Sequence, residues 1–117
     1  MPNRNKQKGA RFERAALLAA HEHFPEAWIT RAGWDDDRGD IVLCRTIPFV
    51  IQAKDCGDHR LGPWLMQLDE QVHNAEAQYG ALCVKRRGIA DAGEALAVMR
   101  YRNLLEMLAR ASFPAGP

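Results

Sequence analysis

The sequence lacks several things. Nowhere in its 117 residues does an apolar run approach the roughly 20 residues of a membrane-crossing helix. The basic N-terminus has no apolar core of the signal-peptide kind. A cytoplasmic protein without membrane association is the expectation. Cysteine is scarce and odd in number. Cys44, Cys56 and Cys83 include no CxxC, which argues against a disulfide framework and predicts reduced thiols. Cys56 and His59 lack the second ligand pair that a structural zinc would need. A large charge of one sign is also missing, since the formal net charge is +1. No internal repeat or low-complexity segment occurs. One ordinary globular domain remains, with 47% apolar and 26% charged residues.

Charge is sparse in sum but divided in place. Arg4, Lys6, Lys8, Arg11 and Arg14 open the chain against Glu13 alone. A second basic cluster, VKRRG, holds Lys85, Arg86 and Arg87. Acidic residues collect in WDDDRGD, residues 34–40. Arginine outnumbers lysine 12 to 4, and its planar fork is the better bidentate ligand for phosphate. The division suits a cation site flanked by anion-binding surfaces. Solvated surface charge is the plainer alternative.

The pattern of elements predicts a basic arm over residues 1–8, a domain over 9–111 and a frayed tail over 112–117. A helix is expected from Gly9 to Phe24, stopped by Pro25. Strands are expected at 28–33, 40–44 and 49–55. Pro63 suits the first turn of a second helix. Leu65, Leu68, Val72, Ala75 and Tyr79 make one helical stripe, and Gly80 reads as its C-terminal stop. Strands at 81–87 and 95–101 and a helix at 103–111 complete the order α-β-β-β-α-β-β-α. That is an α/β fold, one mixed sheet flanked by helices. His21 and His23 diverge on a helix and read as surface or packing residues. Trp28, Trp34 and Trp64 read as core or interface aromatics.

Two anomalies interrupt this ordinary plan. In the first helix Phe12, Ala16, Leu17, Ala20 and Phe24 share one arc, and Glu13 lies inside it. A carboxylate on a core-facing arc is costly unless it is paired or binds a metal. In the hairpin RGDIVLCRTIPFVIQAKD, parity puts Phe49, Ile51 and Ala53 on one face and Val50, Gln52 and Lys54 on the other. Gln52 and Lys54 then stand side by side, opposite Asp40 on the neighbouring strand. Carboxylate and amide oxygens are hard ligands suited to Mg²⁺ or Mn²⁺. A bound cation can acidify a water and stabilise charge on a phosphate, and a nearby lysine can orient that water. The constellation fits metal-assisted hydrolysis of a phosphodiester.

KGARFER with Glu13, RGDI with Asp40, and IQAKD with Gln52 and Lys54 resemble the PD-(D/E)xK nuclease superfamily. Within it the chain is most similar to the small Holliday-junction-resolvase-like branch of phages, archaea and bacteria. The similarity extends over about residues 8 to 108. It implies a restriction-endonuclease-like fold and a Mg²⁺-dependent endonuclease, with Mn²⁺ able to substitute. It also implies a homodimer acting on branched DNA in recombination or repair, bacterial or phage-encoded, or nucleoid-associated. The implied metal ligands are Asp40, the Gln52 amide oxygen, the Ala53 carbonyl and Glu13, with Lys54 orienting the attacking water. Arg4, Lys6, Lys8, Arg11, Arg14, Lys85, Arg86 and Arg87 would hold phosphates. The chain departs from the family at Gln52, where Glu is usual. Asp55 is a poor substitute ligand, because parity puts it on the opposite face. A DNA-binding or assembly module that has lost catalysis, and an RNA-directed nuclease on the same fold, are the alternatives.

Overall fold

The computed structural model describes residues 4–30, 41–46 and 49–111, with side chains from Gln7 onward. Helix α1 spans Arg4–Ala20. It starts ahead of the expected Gly9, so the basic stretch from Arg4 is helical rather than an arm. Arg, Lys and Gln are good helix formers. One more turn follows, in which the His23 and Phe24 amides bond to the Ala20 carbonyl at 3.0 and 2.8 Å. Pro25 then ends the coiling. The His21 ring nitrogen Nε2 pairs with the Ala27 carbonyl at 2.8 Å, tying this corner together.

Next come β1 (Trp28–Ile29), β2 (Ile41–Val42), β3 (Phe49–Lys54), α2 (Leu61–Asn74) and β4 (Tyr79–Val84). A single 3₁₀ turn (Ala92–Glu94), β5 (Leu96–Val98) and α3 (Tyr101–Arg110) close the chain. The five strands form one sheet in the order β1-β2-β3-β4-β5. Among the described strands β3 and β4 run parallel and the other pairs are antiparallel. A parallel pair needs a crossover, and α2 supplies it. The chain is therefore an α/β domain with a mixed sheet and helices in the expected order. No helix of the described residues is long and apolar enough to cross a membrane.

Strand parity divides the core in two. On one face Ile41 and Leu43 are buried with Ala16 and Ala27, and Leu17, Ala20, Phe49, Ile51 and Cys83 pack against them. That is the α1 face. On the other, Leu68, Leu82 and Val84 form a cluster with Trp64, Leu65, Val72 and Val98, which is the α2 face. β4 is covered on both sides and reads YGALCV, a nearly unbroken apolar run. Cys83 sits in this packing, and burial pushes its thiol above the ordinary range. It behaves as a small apolar residue. All three cysteines are free.

The boundary between α2 and β4 differs from expectation. The helix ends at Asn74, and Tyr79 and Gly80 belong to the strand. The stop is Glu76, whose φ is +53°. Its amide bonds to the His73 carbonyl, and the Ala77 amide to the Val72 carbonyl, the paired bonds of a Schellman cap. Glycine usually holds that left-handed position, and a side chain there costs about 1–2 kcal/mol. Glu76→Gly is expected to stabilise the domain by about 0.5–1 kcal/mol after the entropy cost of glycine, as read by urea unfolding. Gly80 has a different purpose. A Cβ there would sit 2.6 Å from Val72 Cγ2 and 3.0 Å from Leu68 Cδ1, so it is glycine because α2 crosses β4 closely. Gly80→Ala is expected to cost about 1–3 kcal/mol by overpacking, in the same assay.

Candidate functional site

The site begins at the carboxyl end of β3. Val50, Gln52 and Lys54 point to the α2 face, as alternation requires. Gln52 lies beside Leu82 of β4 in the parallel register and is 3% exposed. Its Oε1 is fully buried and has no hydrogen-bond partner among the described residues. Buried polar atoms are nearly always paired, and an orphan oxygen calls for a water or an ion. Two residues on, Lys54 leaves the core half-buried. Its Nζ donates to Gln67 Oε1 of α2 at 3.1 Å. The same ammonium lies 5.5 Å from the centroid of the Trp64 ring, within cation–π range. His59 tilts against Trp64, with ring centroids 6.2 Å apart. Trp64 is thus a wall for Lys54.

Asp55 points the other way, onto the α1 face, as parity requires. Its side chain is 7% exposed. Lys8 Nζ of α1 lies 3.4 Å from Oδ1, and Lys85 Nζ, just past β4, lies 3.8 Å from Oδ2. The second distance is an ion-pair contact too long for a hydrogen bond, which is why Oδ2 counts as an unpaired acceptor. Beyond Lys85 the chain turns, with the Ile89 amide on the Arg86 carbonyl at 3.1 Å and Gly88 at φ +77°. Lys85 and Arg87 line one cleft with Lys8 and Asp55, and Arg86 is not part of that lining.

The structure therefore joins some of the expected residues and separates others. Gln52 and Lys54 are together, with Ala53 between them on β3. Lys8, Lys85 and Arg87 are together on the opposite face. Glu13 is half-buried on α1, the helix that covers the face opposite Gln52. Arg11 and Arg14 are exposed on α1. Asp40 and Trp34, and the side chains of Arg4 and Lys6, lie outside the described residues. Gln67 and the ion pairs of Asp55 were missed by sequence reasoning. Both are long-range contacts for which no local pattern exists.

Gln52 fits a divalent cation in one respect that the structure carries, its buried hard oxygen without a donor. Among the described residues no three of His, Cys, Asp and Glu converge as a metal site. Asp40, the expected central ligand, is not among them. Compared with family models, curated proteins and solved structures, the chain matches none. The fold and site define a class by themselves: a mixed α/β domain whose charged and amide side chains gather at the carboxyl end of its parallel strand pair, where open α/β sheets commonly bind ligands.

Proposed function

We propose that the chain is a metal-dependent endonuclease of the PD-(D/E)xK type acting on branched DNA. The observation that carries the reading is the orphan Oε1 of Gln52, buried two residues before Lys54. Asp40 and Gln52 would hold a Mg²⁺ ion with the Ala53 carbonyl, and Glu13 of α1 would be the fourth ligand that the family pattern implies. The observed pair Ile41↔Ile51 is one register step short of the Asp40–Gln52 pairing that this arrangement needs. When bound, the cation supplies an acidified water and stabilises negative charge on the phosphate. Lys54 is held by Gln67 and Trp64, so its ammonium is oriented before substrate arrives. It would fix the water and offset charge on the phosphoryl oxygens. The apolar wall of Val50, Leu82 and Trp64 strengthens these interactions by excluding solvent. A homodimer, cutting a four-way junction symmetrically, belongs to the same proposal.

The test is a cleavage panel of four-way junction, flap, duplex and single strand, with Mg²⁺ and with Mn²⁺. Metal-dependent cutting of the junction is expected, and Asp40→Asn should abolish it with folding intact. Asp40→Asn retaining more than a few per cent of the activity would refute the ligand assignment. A binding module that has lost catalysis is the second reading, and the missing charge at Gln52 favours it. Tight binding without cleavage by any metal would select it. Preference for RNA in the panel would select a ribonuclease.

A further inference from the structure

The cleft on the α1 face has no part in the hydrolytic site. It measures about 430 Å³ and opens between the segments that follow β3 and β4. Lys8, Lys85 and Arg87 line it, with His59, Gly57 and Asp55. We propose that this cleft is a phosphate subsite, which holds backbone phosphates of a nucleic-acid strand and in which Asp55 is a positioning residue.

Lys8, Lys85 and Arg87 against Asp55 leave two positive charges in the cleft lining. Two phosphodiesters would balance that surplus. Asp55 is buried, and the two lysines are not: their side chains are 49% and 37% exposed for Lys8 and Lys85. An ammonium has three donors; Lys8 lies 3.4 Å from Asp55 and Lys85 only faces it at 3.8 Å, so both keep donors for the cleft. The carboxylate thereby converges two long side chains from different elements, α1 and the end of β4. Their rotamer freedom is spent in folding rather than in binding. The placement also explains the split of the VKRRG cluster, in which Lys85 and Arg87 face the cleft and Arg86 does not. Lys54 and Asp55 are consecutive and point to opposite faces of one strand end. A strand whose phosphate lies at Lys54 would pass its neighbouring phosphates over this edge. The inference rests on the nucleic-acid reading above but not on hydrolysis, so it is tested without metal.

Gly57 provides a clean probe. An added Cβ there meets nothing within 4 Å, so Gly57→Glu should fold normally and bring a carboxylate to the cleft. Binding of a labelled single strand and duplex is measured in EDTA across a salt series. The panel contains wild type, Gly57→Glu, Arg87→Ala, Arg86→Ala, Asp55→Asn and Arg110→Ala. Arg110 serves as control, since it lies over the Tyr79 ring at the opposite end of β4. Gly57→Glu and Arg87→Ala should each weaken binding several-fold. Arg87→Ala should also flatten the slope of log K against log salt by about 0.7 on single strand and 0.9 on duplex. Arg110→Ala should change neither, and Arg86→Ala should cost less than Arg87→Ala. Asp55→Asn should weaken binding although it removes a negative charge; tighter binding there would deny Asp55 its positioning role. Equal losses from Arg86, Arg87 and Arg110 would replace the cleft by diffuse charge and overturn the subsite. Pyrophosphate, followed by amide shifts, should compete with the strand. Pyrophosphate binding that Gly57→Glu abolishes, with strand binding unaffected, would assign the cleft to small phosphates and overturn the nucleic-acid proposal. Failure of cleavage in every variant and in wild type would leave these results untouched and would count against the hydrolytic reading alone.

Discussion

Lys54→Met is expected to reduce metal-dependent junction cleavage at least about 10²-fold while leaving the domain folded. The methionine stem still covers Trp64, so packing against α2 is largely kept. Only the ammonium goes, and with it the bond to Gln67 Oε1. Gln67 is exposed and can turn to water, so the stability loss should stay near about 1 kcal/mol. Lys54→Arg separates charge from shape. It keeps the cation but replaces a compact, rotatable donor by a rigid planar fork. Partial activity is expected from it. Single-turnover cleavage and urea unfolding, run on the same preparations, measure both quantities. Wild-type cleavage by Lys54→Met would reduce Lys54 to a tie between β3 and α2.

The face assignment of β3 was legible because strand parity is a strict two-residue period. Phe49 and Ile51 reach the α1 cluster, Gln52 is buried toward α2, and Asp55 points to α1, each as alternation requires. The length of α2 was not legible. Tyr79 continues the stripe of Leu65, Leu68 and Val72, and Gly80 follows it as a helix stop would. Both features have other causes. Tyr79 opens β4, and Gly80 admits the side chains of Val72 and Leu68. The actual stop is a glutamate in the left-handed region, a residue with no preference for that position. The start of α1 was hidden in a related way, since a polar basic run can be an arm or the solvated first turns of a helix. Candidate site residues on one strand could be grouped from sequence. The partners that hold them, Gln67 for Lys54 and the two lysines for Asp55, come from remote elements and become visible only in the fold.

Position 52 should show opposite responses in stability and in metal dependence. Gln52 buries an oxygen without a donor among the described residues, and such an atom costs about 1–3 kcal/mol relative to a paired or apolar one. Gln52→Leu has nearly the same volume and no polar atom. Without metal it should be more stable than wild type by about that amount. With Mg²⁺ its melting temperature should not move, and cleavage should be lost. Gln52→Glu should do the reverse. A carboxylate in this 3%-exposed position pays a desolvation cost of several kcal/mol in the metal-free protein. The cost is lessened where the group takes up a proton, so the deficit should be largest at alkaline pH and smallest as pH falls. Mg²⁺ at about 100 times its dissociation constant should return about 2.7 kcal/mol. The wild-type amide, with no net charge, should gain less at equal Mg²⁺. Gln52→Glu should therefore cleave at lower Mg²⁺ than wild type. Gln52→Ala separates cavity from ligand, because it loses the oxygen and leaves a void, so it should be unstable and inactive together. The measurement is thermal melting and single-turnover cleavage across a Mg²⁺ titration at two pH values. A Gln52→Leu protein that still shifts its melting temperature with Mg²⁺ and still cuts would remove position 52 from the cation's ligands, and would leave the orphan oxygen as a defect of packing alone.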